Sequence, residues 1–146
     1  MSIYDSTTPN SQQPLSSSDE NMWAMLAHLS VLINLFTGFL GPVAAFVIYI
    51  VFKERSRYVA YQSLQSLLLQ VIVWIGGWVI AGTAWAVSGV LSIVLVGLLL
   101  MPVACILSAV PFIAPLYCLV AAVKTSQGED FRYWLIGDWV RGELSR

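Results

Sequence analysis

Few side chains of this 146-residue chain could do chemistry, and most of those lie in stretches without charge. His28, the only histidine, is the one group there that could relay a proton or hold a ligand near neutral pH. Asn34 follows in the same apolar run, and Gln62, Gln65 and Gln70 lie in the next; three amides on one helix could line a polar groove. Cys105 and Cys118 add two thiols. An ionisable residue at membrane depth is by default a functional candidate. No carboxylate lies in the apolar segments to pair with His28, which favours a neutral, hydrogen-bonded packing histidine. The cysteines, thirteen residues apart, would face roughly opposite ways on one helix, so neither a disulfide nor a metal pair is suggested and both read as packing thiols.

An enzyme needs groups that move protons or attack, held within hydrogen-bond reach. Apart from His28 and the thiols the apolar segments hold none, and the charged residues form no His/carboxylate or metal-spaced set. A non-enzymatic protein with no catalytic, cofactor or metal residues is therefore expected. A formal charge of -1 also argues against nucleic acid, whose phosphates need clustered Lys and Arg.

The elements that hold these residues are written in the hydropathy. Tyr58 to Val123 is a 66-residue block without Asp, Glu, Lys or Arg, between the knot Lys53-Glu54-Arg55-Ser56-Arg57 and Lys124. About 20 helical residues cross a ~30 Å hydrocarbon core, so the block reads as integral membrane. A hydrophobic share of 58% against 10% charged selects the same class. Residues 1–18, rich in Ser, Thr, Gln, Asn and Pro, read as a disordered tail rather than a signal peptide, because Asp19 and Glu20 precede the first apolar run. Ser17 is expected to cap a helix whose Glu20 reaches back to it. The charge-free Asn21–Phe52 is interrupted by Gly38-Phe39-Leu40-Gly41-Pro42 and reads as a hairpin of two short helices; one kinked helix would need about 48 Å of apolar length.

After the knot, Tyr58, Gln62, Ser63, Gln65, Ser66 and Gln70 cover an arc of roughly 160°, taking 100° per residue, with Leu64, Leu67, Leu68 and Val71 outside it. Such an arc does not face lipid. It is either glue against the first hairpin or the lining of a polar conduit, and glue is favoured because glutamines give neither charge selectivity nor an acid. Trp74, Trp78 and Trp85 suggest an interface belt, Gly77 and Ala81 a close helix contact, and residues 86–89 a turn. Val90–Val123 carries Pro102, Pro111 and Pro115 and should kink, either as one span from about Pro102 with an oblique lead-in or as two short spans. Residues 129–146 mix aromatics with arginines and read as a short helix in the headgroup layer.

The run Leu26-Ala27-His28-Leu29-Ser30, the Gly41-Pro42 turn, the basic knot before Gln62-Ser63-Leu64-Gln65-Ser66-Leu67 and Gln70, and Ala121-Ala122-Val123-Lys124 through Gly128 to Phe131-Arg132-Tyr133 resemble a bacterial family of small membrane proteins of unknown function. That family is similar to the Tic-twenty subunit of the chloroplast inner-envelope translocon. The chain departs from its pattern at Leu68-Leu69, where an Asn-Phe pair is usual, and at Trp134, where a proline is usual. The resemblance implies four membrane helices with both termini cytoplasmic.

The expectation is an all-α, polytopic helical membrane bundle of four transmembrane segments over residues 19–128, with a disordered N-terminal tail and an interfacial C-terminal segment. It would be multi-pass in the plasma membrane, acting through helix contacts with itself or with membrane partners; the alternative is a conduit or accessory subunit of a transport or translocation system. Basic residues set orientation, and Lys53, Arg55, Arg57, Lys124, Arg132 and Arg141 all flank apolar runs, so both patches should be cytoplasmic and touch lipid headgroups.

Overall fold

The structure, a computed structural model, describes residues 14–145. The expected tail over residues 1–13 lies outside the described residues; 14–16 carry no regular structure, and the first helix already includes residues 17 and 18. Eight α-helices follow: α1 (Ser17–Leu29), α2 (Val31–Thr37), α3 (Leu40–Phe52), α4 (Arg57–Gln70), α5 (Gly76–Leu91), α6 (Val96–Ser108), α7 (Ile113–Ser126) and α8 (Gly137–Leu144). Among the described residues there is no strand.

The first cap sits one residue earlier than expected, because Ser16 rather than Ser17 takes the first-turn amide, that of Asp19, at 3.2 Å. Glu20 is thereby free to accept the Ser56 hydroxyl at 2.6 Å, tying the start of α1 to the start of α4. The hairpin turns at Gly38, whose φ of 81° is the left-handed conformation that glycine tolerates. The turn after α5 lies later than 86–89. Gly89 stays helical, and the chain reverses through a 3-10 turn at Ser92–Val94 and Leu95, at φ 63°. Gly97 decides this: a Cβ there would sit 1.9 Å from the Ser88 carbonyl oxygen, so only glycine lets the returning helix close on the departing one.

These elements build two layers. In the first, α4 is central: α1 and α3 pack on it, α7 packs on α1, and α8 covers its outer end. Nine of its 14 residues are buried. Ala24, Ala27, Ala45, Ala60, Ala121 and Ala122 are all essentially inaccessible, and small residues let the helices approach closely. In the second layer α5 and α6 pack mainly on each other. The layers meet at a waist where both arms of the long helical hairpin leave α geometry, in a π turn at Val71–Ile75 and a 3-10 turn at Val110–Phe112. Pro111 cannot donate an amide hydrogen and breaks the second arm there. Gly77 receives it, since a Cβ would lie 2.9 Å from Pro111 Cγ. Trp74, Trp78 and Phe112 fill the same level edge to face, so two of the expected belt tryptophans serve the waist.

Counted through their turns, Arg57–Val94 (38 residues) and Val96–Ser126 (31 residues) are long and apolar enough to cross a membrane. The run expected to kink from Val90 is instead divided by the reversal at 92–95, and only from Val96 on is it one broken helical path. Helix α3, with 13 residues, spans about 20 Å, short of a ~30 Å hydrocarbon core. The tip of the first hairpin stops at the end of α4, where Gly41 meets Gln70.

Candidate functional site: a closed polar core

All five polar residues singled out inside the apolar runs, His28, Asn34, Gln62, Gln65 and Gln70, are buried in the first layer. They form two connected sets, whose donors and acceptors can be assigned in turn.

The deeper set ties the first hairpin to α4. The Gln70 amide nitrogen donates to the hydroxyls of Ser30 (3.0 Å) and Ser66 (2.9 Å), and each hydroxyl donates onward to the Ala27 carbonyl at 2.7 Å. Gln70 Oε1 accepts from Asn34 Nδ2 at 3.3 Å, and Asn34 Oδ1 accepts the Gly41 amide at 2.8 Å. That amide belongs to the first turn of α3, where the helix itself offers no partner. Asn34 thus supplies what water would supply elsewhere.

The second set receives the C-terminal segment. Residues 129–133 are not helical, and lipid does not tolerate unpaired backbone. Gln65 resolves this as a neighbouring strand would: its Nε2 donates to the Phe131 carbonyl at 3.1 Å and its Oε1 accepts the Tyr133 amide at 2.9 Å. Gln62 Nε2 donates to the same carbonyl at 3.0 Å and to Asp130 Oδ1 at 3.3 Å. Both partners are acceptors, so Gln62 Oε1 must face His28 Nε2, 3.0 Å away, and His28 Nε2 carries the proton. His28 Nδ1 is then an acceptor and takes the Tyr133 hydroxyl at 2.9 Å. Having donated its one hydrogen, that hydroxyl can only accept from the Cys118 thiol at 3.2 Å. The bonds run in one direction, from Cys118 through Tyr133, His28 and Gln62 to Asp130 and the Phe131 carbonyl.

Burial pushes the Tyr133 phenol well above its ordinary range, so it stays protonated, as this chain requires. Tyr117 and Phe131 pack edge to face around its ring. No buried side-chain nitrogen or oxygen among the described residues lacks a partner. Among them, too, no three His, Cys, Asp or Glu side chains gather as metal ligands would.

The structure adds detail to two expectations here. The C-terminal segment does not simply lie along the headgroups, because Tyr133, Ile136 and Val140 are buried in the bundle while Trp134, Leu135 and Trp139 stay exposed. Most of the six basic residues expected at the headgroups also have partners within the protein. Lys124 pairs with Glu129 and Arg132 with Asp138, each at 2.7 Å, and Arg141 pairs with Asp130. Arg57 donates to the Leu144 carbonyl at 2.7 Å and Arg55 lies over the Phe52 ring, leaving Lys53 exposed at the turn. Salt bridges so exposed add little stability; two of them join α8 to the 130–132 stretch, and α8 meets α4 through Arg57, Tyr61 and Arg141. Cys105 is exposed on α6, far in role from Cys118.

Sequence reasoning missed Tyr133, whose segment supplies the carbonyl and amide that Gln62 and Gln65 pair with; three glutamines on one face signalled only that partners were needed.

Together the apolar exterior, the two long helices and the closed polar core define an all-helical membrane protein. The family model of MamF/MmsF, the magnetosome magnetite crystal formation protein family, matches residues 19–140, and the chain belongs to that family. This corrects the resemblance to the Tic-twenty-like family. The features that carried it, the Gly41-Pro42 turn, the basic knot and the glutamine run, are what any short hairpin packed on a polar-faced helix needs, and they do not discriminate between families. The comparisons with curated proteins and with solved structures give no match.

Proposed function

We propose that this chain is a membrane protein of the magnetosome that contributes to magnetite crystal formation as a structural, non-enzymatic component, working through its outer surface. The observation that carries this reading is the closure of the polar core: the buried polar side chains of the apolar runs are all taken up by hydrogen bonds within the bundle. The family match supports the magnetosome setting. The conduit alternative depended on the glutamine face opening to water. Gln62, Gln65 and Gln70 are each fully buried, so the observation that would favour it is missing.

In the membrane, α4–α5 and α6–α7 make two crossings, and their excess over the ~20 residues needed is absorbed by tilt and by the waist kink. The first hairpin enters and leaves by one face, because its α3 arm is short and its tip rests on Gln70. This arrangement in place of four full crossings still puts both termini and both basic patches on the cytoplasmic side.

The test is deletion and complementation in a magnetosome-forming cell, with crystals sized by electron microscopy and the protein located by a fluorescent fusion. Complementation by the wild type and by Cys118→Ala, with the fusion on magnetosomes, is expected. Loss of crystal rescue by Cys118→Ala at the wild-type protein level would overturn the non-enzymatic reading, and a fusion absent from magnetosomes would overturn the setting.

A further inference from the structure

At the charged end of the bundle, outside the polar core, a pocket of about 230 Å³ opens between the first turns of α4, the extended 129–133 segment and α8. Its lining includes Arg57, Tyr58 and Tyr61 of α4 together with Asp130, Arg141 and Ser145. Both guanidinium groups are held in place. Arg57 is pinned by its 2.7 Å bond to the Leu144 carbonyl, and Arg141 lies 4.8 Å over the Tyr61 ring while bonded to Asp130. A guanidinium has five N–H donors in a rigid fork matched to phosphate oxygens, and the bond to Leu144 takes one of the five on Arg57. The Asp130 carboxylate is paired with Arg141, and its two oxygens can accept more bonds than the two from Gln62 and Arg141.

Two cations and one anion facing a single small pocket complement a ligand that is itself zwitterionic, with a phosphate for the arginines and an ammonium for the aspartate. We propose that this pocket binds the headgroup of a phospholipid carrying a primary ammonium, phosphoethanolamine in chemistry, with phosphate oxygens on Arg57 and Arg141 and the ammonium on Asp130. A lipid rather than a free phosphate compound is indicated by position. The pocket lies where the charge-free block begins at Tyr58, and the neighbouring Trp134, Leu135 and Trp139 are exposed, as aromatics at a membrane boundary are. A primary ammonium can donate to Asp130, whereas a trimethylated one has no N–H and a glycerol headgroup no charge.

The inference rests on the membrane reading above, and one experiment separates the two. The full chain is reconstituted into vesicles of equal parts phosphatidylethanolamine, phosphatidylglycerol and phosphatidylcholine, tested for resistance to alkaline extraction, then released and its retained lipids weighed by native mass spectrometry. Several-fold enrichment of phosphatidylethanolamine is expected. Arg57→Gln should reduce retention of all three lipids, and Asp130→Asn, which removes the charge and keeps one acceptor oxygen for Gln62 or Arg141, should erase the preference over phosphatidylcholine. Equal retention of the three lipids, variants that leave the pattern unchanged, or displacement by free phosphoethanolamine as effective as by the lipid would each overturn the inference while leaving the membrane reading intact. Alkaline extraction of the protein from the vesicles would overturn both.

Discussion

The two layers of this protein solve the same problem, how to build helices out of apolar residues, in opposite ways. Around α4, nine of 14 residues are buried and five of those are Gln or Ser, so position is fixed by directional bonds. In α6 only Gly97 and Ala104 of 13 residues are buried, and the hairpin it forms with α5 turns a wall of aliphatic side chains outward. Directional bonds tolerate few alternatives, because a buried donor left unpaired costs more than the bond it made. Aliphatic contacts with lipid are interchangeable. The polar layer therefore specifies one structure, and the apolar hairpin presents a surface that lipid or partners can read without much cost to the fold.

That contrast can be broken where it is strongest. Gln65→Leu keeps the volume but orphans the buried Tyr133 amide and weakens the hold on Phe131, and should destabilise the protein by roughly 2 to 4 kcal/mol, read as thermal unfolding in detergent. Gly41→Ala comes next. Its Cβ would lie 2.5 Å from Gln70 Oε1, 2.6 Å from Asn34 Oδ1 and 2.7 Å from the Ser30 carbonyl oxygen, the last of these backbone. Overpacking of this kind costs about 1 to 3 kcal/mol, and the same melt should show it. Tyr133→Phe removes only the hydroxyl between Cys118 and His28, and a loss of about 1 to 2 kcal/mol is expected. The sharpening variant is Leu99→Ala in the other layer. Leu99 is 78% exposed, and its loss should change stability by no more than about 0.5 kcal/mol. A melt shifted as far as that of Gln65→Leu would erase the distinction between the layers.

How much of this could be read from the chain follows the same division. The apolar runs, the hairpin at Gly38 and the polar arc of α4 depend on local spacing, and local spacing is visible in a sequence. His28 reads as a neutral hydrogen-bonded residue, but its partner on one side, Tyr133, lies 105 positions away in a segment whose aromatics and arginines look interfacial. Nothing in that segment's own pattern says that Tyr133 turns inward while Trp134 does not; the glutamines of α4 decide it. The turn at Leu95 was hidden for a related reason, because Gly97 acts through a contact across the hairpin and not through its neighbours. The family was misjudged because motifs that serve packing recur wherever the packing does.

The central claim is that glutamines of α4 lock a non-helical stretch of the C-terminus into the bundle, and amide hydrogen exchange over residues 129–136 tests it most directly. A free segment without helix exchanges almost at once, whereas a locked one is protected to the extent that the surrounding structure is stable. The account predicts that the Tyr133 amide in the wild-type protein exchanges as slowly as amides of the helices flanking it, and that Gln65→Leu speeds this segment selectively. Exchange of 129–136 at the rate of an unstructured peptide in the wild type would contradict it.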